Sequence, residues 1–136
     1  MEKPLISVIV LVYNNDKYLC ELLDSIFEQD YENIELIVSD DHSDSFDAEK
    51  YRQYIKSGAR ENIVSGFINI NEQNLGTVAH YEKMRKQCHG EYITIISADD
   101  AYYDGNVLTN LEKEFHGGGM KIDRLSLEKQ LCAVWS

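Results

Sequence analysis

The most constraining feature of this sequence is an almost unbroken run of β-branched and other apolar residues from Leu5 to Val12. Such a run suits a strand that is buried on both faces, as strands in parallel sheets are. Shorter apolar runs recur at 34–39, 63–70 and 92–96, and stretches with helical spacing lie between them. Because strands alternate with helices, the sequence predicts an α/β fold with a mainly parallel sheet flanked by helices.

Helices are predicted after each of these strands. The apolar residues between Leu19 and Phe27 recur at helical spacing, and Asn15 or Asp16 is the expected cap. Further helices are predicted at about 49–56, from a Thr77 cap to about Cys88 with a stop at His89-Gly90, and at about 106–115. Residues 1–115 are therefore expected to form one domain, followed by residues 116–136 as an irregular or weakly helical tail.

The composition excludes some classes of partner. The 136 residues carry a net charge of −11, so the chain lacks the clustered cations that attract nucleic acid phosphates. The same charge gives no attraction to an anionic membrane surface.

The three cysteines, Cys20, Cys88 and Cys132, are far apart and odd in number. They predict neither a disulfide framework nor a zinc site. The sequence shows no signal peptide and no apolar stretch of about 20 residues that could span a bilayer. These features favour a cytoplasmic location, with attachment to the inner face of a membrane through partners as the alternative.

Pairs of acidic residues follow two of the predicted strands. Asp40 and Asp41 end the second strand, and Asp99 and Asp100 end the fourth. Parallel sheets bind ligands outside the carboxyl ends of their strands. The sequence has neither a P-loop nor a dinucleotide-binding glycine motif. A bound nucleotide would therefore need a divalent cation such as Mn²⁺ or Mg²⁺ to balance its diphosphate, with Asp99 and Asp100 as the natural ligands. The alternative is that these acids only cap the next helix.

Four segments, taken in chain order, resemble motifs of the family 2 glycosyltransferases of the GT-A fold. They are Val12-Tyr13-Asn14, Ile37 to Asp44 (IVSDDHSD), Asn74 to His80 (NLGTVAH) and Gly90 to Asp100 (GEYITIISADD). The chain departs from the family pattern at four positions: Leu11 replaces a proline, His42 a glycine, His80 an arginine and Ser97 the first acid of the D-x-D motif. The resemblance covers residues 4 to about 115.

The resemblance implies a site for a nucleotide sugar. It implies that Tyr13 flanks the base, Asp40 accepts a hydrogen bond from the uracil N–H, Gly76 lets the backbone approach the donor, and Asp99 holds the metal. The other implied substrate contacts are Val12, Asn14, Asp41, Asn74, Ala98 and Asp100. Ser97 can hydrogen-bond a ribose but offers no charge.

Plainer interpretations of some of these residues remain open. Tyr13 could be a half-buried aromatic at a strand end, and Gly76 an ordinary turn glycine. Asp41 could support the turn while Ser43 caps the next helix. His80 is expected to be a surface helix histidine, although a protonated ring could contact diphosphate.

The activity implied by the family is inverting transfer of a sugar, with UDP-sugar as the expected donor, to an acceptor hydroxyl. The acceptor, a glycan or a lipid-linked saccharide, is not identified, and no general base is assigned. Glu112, Glu114, Asp123 and Glu128 are later acids that match no family motif. Three interpretations follow: the donor half of a longer enzyme, a short protein that binds donor but transfers poorly, or a metal-binding module like a receiver domain. Apolar surface left uncovered could also support a homo-oligomer.

Overall fold

Strands and helices alternate along the chain, as predicted. The computed structural model describes residues 3–102 and 104–117, with side chains as far as Glu114. In chain order the elements are β1 (Ile6–Val12), α1 (Leu19–Phe27), β2 (Ile34–Asp40), α2 (Ala48–Gly58), β3 (Ile63–Ile70), α3 (Thr77–Arg85), β4 (Tyr92–Ser97) and α4 (Val107–Gly117). A short 3₁₀ turn, Asp16–Tyr18, leads into α1.

The four strands of the described region form one parallel sheet in the order β3-β2-β1-β4. The predicted parallel sheet is therefore confirmed. At the carboxyl end of β1, Val12 pairs with Asp40 and Leu11 pairs with Ser97. The strand order reverses at β1, because β2 and β3 lie on one side of it and β4 on the other. Such a reversal opens a crevice outside the strand ends.

The two faces of the sheet are covered unequally. On one face, the buried sides of α1 and α4 pack against the sheet together with Tyr51 of α2. On the other face, Tyr81 and Met84 of α3 pack on a smaller cluster that includes Ile9 and Ile37. Full burial of each large aliphatic side chain contributes about 1.5–3 kcal/mol. The core therefore fixes the sheet firmly, and α3 is the element that covers the smaller cluster next to the strand ends.

Three helix starts differ from the sequence predictions. Asn15 precedes the 3₁₀ turn without capping it, since its side-chain oxygen accepts the N–H of Tyr13 instead. Thr77 is the first residue of α3 and not its cap. Asp47, not Ser43, caps α2 by accepting the N–H of Lys50 at 3.0 Å. The side chains of Asn15 and Ser43, which were expected at two of these caps, are instead held by hydrogen bonds within the strand-end loops.

Helix α3 ends at Arg85 and not at the predicted Cys88. The N–H of Gln87 closes a short turn with the carbonyl of Met84, and two later N–H groups bind residues of β1 and β2. The N–H of His89 donates to Glu35, and the N–H of Gly90 donates to the hydroxyl of Ser7. A Cβ at Gly90 would lie 2.5 Å from the Ser7 oxygen, so only glycine fits this approach.

Some predictions fall wholly or partly outside the described residues. Helix α4 extends to Gly117, two residues beyond the predicted limit, and the boundary of the domain remains a prediction. The weak tail helix predicted from Leu125, Leu127, Leu131 and Val134 lies outside the described residues. Within the described residues, Cys20 and Cys88 form no disulfide, whereas Cys132 is not described. None of the helices in residues 3–102 and 104–117 has the length and apolar character needed to cross a bilayer.

A buried carboxylate joins three segments at the end of the sheet where β1, β2 and β4 begin. Glu35 is 4% exposed and accepts hydrogen bonds from the Ser7 hydroxyl, the His89 N–H and the His89 ring. Burial alone would raise the pKa of Glu35, but these hydrogen bonds hold it below its usual value. The stability that this contributes is present above the usual pKa of a glutamate and is lost as pH falls through the lowered one.

We therefore predict that Glu35→Gln lowers the free energy of unfolding at pH 7 by about 1–3 kcal/mol, because buried donors lose a charged acceptor. Urea unfolding at pH 7 and pH 3 would measure the effect, which should shrink at pH 3. Glu91→Gln, at an exposed site, is the control and should change stability by less than about 0.5 kcal/mol. Equal effects of the two substitutions would contradict the assignment.

Candidate functional site at the carboxyl ends of the strands

A cleft of about 420 Å³ lies where the strand order reverses. Its walls come from the ends of β1, β2 and β4 and from the first turn of α3. The polar or titratable side chains that line it are Tyr13, Asn15, Asp41, Thr77, His80, Ser97 and Asp100. Segments that are distant in the sequence thus meet at one place. A mainly apolar cleft with a few convergent polar groups is the usual form of a small-molecule site.

The ends of β1 and β4 are joined across the cleft by one side chain. The Nδ2 of Asn15 donates to the Ser97 hydroxyl at 3.1 Å, while its Oδ1 accepts the N–H of Tyr13 at 2.8 Å. Tyr13 itself is 49% exposed, so its ring is available to stack on a flat ligand. Asn15 was not among the residues predicted to form the site, because its role depends on the pairing of β1 with β4.

Asp40 is buried at the end of β2 and serves the turn that follows it. It is 1% exposed, and its two oxygens accept hydrogen bonds from the hydroxyl and the N–H of Ser43. A carboxylate has about four lone-pair positions. Each oxygen of Asp40 therefore keeps capacity for one further donor.

Asp41 organises the loop that leads into α3. It is 3% exposed and its carboxylate accepts the backbone N–H groups of Leu75 and Gly76 and the side-chain amides of Asn71 and Asn74, at 2.8–3.2 Å. Burial acts to raise the pKa of Asp41, but the hydrogen bonds outweigh it and the pKa lies below its usual value. Asp41 therefore holds the loop as a buried carboxylate.

Two non-glycine residues in the strand-end loops have left-handed backbone conformations. They are Asn14 at φ 52° and His42 at φ 67°. Such values are uncommon outside glycine, although Asn and His are enriched among the exceptions. The conformation at His42 explains why the related family pattern has glycine there. Asn14 is held in place because its Oδ1 accepts the N–H of Asp44.

His80 is buried and not on the surface, which corrects the sequence interpretation. It is 2% exposed, and its Nε2 lies 2.6 Å from the hydroxyl of Ser39. The burial arises because α3 lies over the ends of β1 and β2 and directs this side of its first turn toward the sheet. Gly76 precedes the helix at φ 84°, a conformation that glycine adopts freely and other residues rarely adopt.

The acids at the end of β4 are exposed neighbours. Asp100 lines the cleft, and its N–H closes a turn with the carbonyl of Ser97 at 3.0 Å. Desolvation, followed by the charge of Asp99, raises the pKa of Asp100. No cluster of three or more potential metal ligands occurs in the described part of the chain. Two adjacent carboxylates can still hold a hard cation when ligand oxygens and water complete its coordination.

The predicted site residues differ in how they face the cleft. Val12, Tyr13, Asp41 and Asp100 line it. The side chains of Asp40 and Ala98 are buried beside it, and Asn74 and Gly76 belong to the loop that Asp41 holds. Asn14 and Asp99 are exposed at its edge. Thr77, Leu11, Ile95 and Ile96 also line the cleft. They were not predicted as site residues, because their place on its wall follows from the fold and not from the chemistry of their side chains.

We predict that Asp41→Asn destabilises the fold by about 2–3 kcal/mol, since the amide nitrogen would face donors that now meet a charged acceptor. Urea unfolding at pH 7 would measure the loss. Asp44→Asn, at an exposed neighbouring position, is the matched control. A loss no larger than that of the control would contradict the role of Asp41.

Comparison with known proteins identifies the family. The model of glycosyl transferase family 2 matches residues 7–122. Glycosyltransferase GlyG of Streptococcus pneumoniae is 34% identical over 106 residues, which are 77% of this chain and 33% of GlyG. A Campylobacter jejuni protein, GalNAc(5)-diNAcBac-PP-undecaprenol beta-1,3-glucosyltransferase, is 29% identical over 127 residues, which are 93% of this chain and 40% of that protein.

Solved structures show the same fold. The mannosyltransferase PcManGT of Pyrobaculum calidifontis, in complex with GDP-Man and Mn²⁺, superposes with a TM-score of 0.74 at 24% identity, covering 85% of this chain and 33% of that one. Residues 1–349 of S. aureus TarS, in complex with UDP, give a TM-score of 0.66 at 28% identity, covering 85% and 33%. The predicted GT-A fold is thereby confirmed.

These matches also show how much of a relative the chain represents. It spans between 20% and 34% of the length of three curated relatives. The matched part contains the parallel sheet and the cleft at its carboxyl edge. With a family model that covers most of its residues, the chain belongs to glycosyl transferase family 2.

Proposed function

We propose that this chain binds a nucleotide-diphosphate sugar, with UDP-sugar as the expected donor, together with Mn²⁺ or Mg²⁺. It would thereby form the donor site for inverting transfer of the sugar to an acceptor hydroxyl. One observation carries the proposal: the segments that resemble the family motifs converge on one cleft where the strand order reverses. In parallel sheets this is the place where ligands bind.

The base would lie beside Tyr13 and Asp40. The half-exposed ring of Tyr13 offers a stacking surface, and the carboxylate of Asp40 keeps lone pairs for a ring N–H while Ser43 fixes its orientation. Uracil presents such an N–H, and so does guanine. The TarS complex contains UDP and the PcManGT complex contains GDP-Man, so comparison of UDP with GDP tests the base preference of this chain.

The diphosphate and the metal would lie near Asp99 and Asp100. Two adjacent acids, one with a raised pKa caused by desolvation and by the charge of the other, form a pair that a divalent cation would stabilise. Oxygen ligands suit Mn²⁺ and Mg²⁺. When bound, the cation would act as a Lewis acid that stabilises the charge on the departing diphosphate.

The residues of this chain would position the donor for attack. Asn15 joins the strand ends that flank the cleft, so the donor meets a preformed wall. The hydroxyl of Ser97 can hydrogen-bond the ribose. Transfer also needs a general base within hydrogen-bond reach of the acceptor hydroxyl, and none is assigned among the described residues. The acceptor, a glycan or a lipid-linked saccharide, is expected to approach from the open side of the cleft.

The proposed donor site predicts that UDP binds this chain more tightly with Mn²⁺ than without it. The expected difference is about tenfold or more, which corresponds to about 1.4 kcal/mol. Isothermal titration calorimetry with and without Mn²⁺ measures this directly, and GDP is the comparison nucleotide. Absence of binding under every condition, by protein with native circular dichroism, would refute the proposal. Transfer should be assayed separately, because donor binding does not require an acceptor site.

A second prediction concerns the metal ligand. Asp99→Asn should remove the effect of Mn²⁺, so that UDP binds the variant equally with and without the cation, because the amide offers no charge to the metal. Glu61→Gln removes an exposed acid near the start of β3, at the opposite end of the sheet, and should leave the Mn²⁺ effect intact. If Asp99→Asn behaves as the parent chain does, the ligand lies elsewhere.

A further inference from the structure

The cleft is poor in positive charge for a site that would hold a diphosphate. None of the described residues that line it is a lysine or an arginine. Asp41 and Asp100 add negative charge to its walls. His80 is the lining side chain that can become a cation near neutral pH. The charge of a bound diphosphate would therefore be balanced by the metal on one side of the cleft, and a second positive or hydrogen-bond-donating group is needed on the other side.

The wall opposite the acids is the first turn of α3. Thr77 and His80 both line the cleft there, and the helix has no side-chain N-cap. The first backbone N–H groups of a helix have no partner within it, and they attract anions together with the helix dipole. This end of α3 alone would not identify a ligand, but the buried histidine one turn into the helix adds an independent indication.

His80 has one ring nitrogen bound and the other available. Its Nε2 lies 2.6 Å from the Ser39 hydroxyl, which also accepts a hydrogen bond from Asn69 Nδ2 at 2.9 Å. With Asn69 donating to it, the hydroxyl can give its own proton to Nε2, and the neutral ring then carries its proton on Nδ1. Within the described part of the chain, Nδ1 has no hydrogen-bond partner. A buried ring that lines a cleft thus keeps a donor for a ligand.

The groups around His80 act on the pKa of its ring in opposite directions. Burial is the largest influence and lowers the pKa of the ring below its usual value. Lys83, on the same helix, acts in the same direction, whereas Asp41 and Asp40 at the end of β2 oppose it. The lowered pKa therefore favours the neutral ring in the free protein at pH 7. A diphosphate group in the cleft would add negative charge next to it and favour the protonated form.

We propose that His80, together with the first turn of α3, contacts the diphosphate of the donor, and that binding adds a proton to the His80 ring. The ring would donate from Nδ1 to a phosphate oxygen and from Nε2 to Ser39, whose hydroxyl would then accept from the ring and turn its own proton away from it. The structure holds this acceptor in place through Asn69. This inference rests on the proposed function, because it requires a diphosphate in the cleft.

Isothermal titration calorimetry can measure how many protons the protein takes up when the donor binds. UDP-glucose is a suitable probe, since its diphosphate is esterified at both ends and does not titrate near neutral pH. With saturating Mn²⁺ at pH 7, titrations in buffers with different ionisation enthalpies should show uptake of a measurable fraction of one proton per site. The Kd should fall as pH is lowered from 8 to 6, by at most about tenfold per pH unit for one linked proton.

Matched substitutions assign the proton to one ring. His80→Asn and His80→Gln should abolish the uptake and flatten the pH dependence of Kd. His42→Asn is the control, because His42 is an exposed histidine in a conformation that Asn also adopts, and it should leave the uptake unchanged. Proton release caused by metal binding to carboxylates has the opposite sign and would persist in both His80 variants.

The outcomes separate this inference from the proposed function. Binding without proton uptake in the parent chain would overturn the role of His80 and leave the donor site intact. Undiminished uptake in both His80 variants would also overturn it. Failure of UDP-glucose to bind the folded parent chain with Mn²⁺ would instead overturn the proposed function on which the inference rests.

Discussion

The parallel pairing of β1 with β2 on one side and β4 on the other is the constraint on which the site depends. It brings the loops after these strands to one edge of the sheet, although they are separated by up to 85 residues in the sequence (from 12 to 97). The buried core on both faces of the sheet keeps that arrangement rigid. Side chains at the edge can then be polar and exposed without weakening the fold, since the strands that carry them are stabilised elsewhere.

A second level of organisation comes from buried carboxylates that act on the backbone. Asp41 and Glu35 lie at opposite ends of β2, and each accepts N–H groups from a segment far along the chain. One fixes the loop before α3, and the other fixes the turn between α3 and β4. Helix α3 is thus set at both ends by hydrogen bonds to β2. Its first turn, which forms a wall of the cleft, owes its position to these contacts as much as to the apolar packing of Met84.

The sequence was sufficient to predict the order of elements, the parallel sheet and the edge at which a ligand would bind. Those features follow from local patterns, namely apolar runs for buried strands and polar turns at their ends. It was insufficient for features that depend on which segments meet. The turn that follows α3, the burial of His80 and the bridge from Asn15 to Ser97 each require a partner 41 or more residues away (Ser39 to His80, 41; Glu35 to His89, 54; Asn15 to Ser97, 82).

The same contrast, between what a local pattern predicts and what depends on distant contacts, applies to the individual site residues. The acids after β2 and β4 were identifiable because acids at strand ends are a recognisable pattern. Separate roles for Asp40 and Asp41 were also predicted, with Asp40 at the base and Asp41 as a possible support of the turn. The structure was needed to show which loop each of them holds: Asp40 accepts from Ser43, whereas Asp41 accepts from the loop before α3.

The left-handed backbone at His42 has a consequence for how this loop can vary. Most side chains are strained at φ 67°, so the substitutions open to this position are few: glycine, and residues such as Asn and Asp that tolerate the conformation. The turn beside the proposed base site can therefore accept only a few residue types at position 42. Over evolutionary time, diversity in this part of the cleft should accumulate at its neighbours and not at position 42.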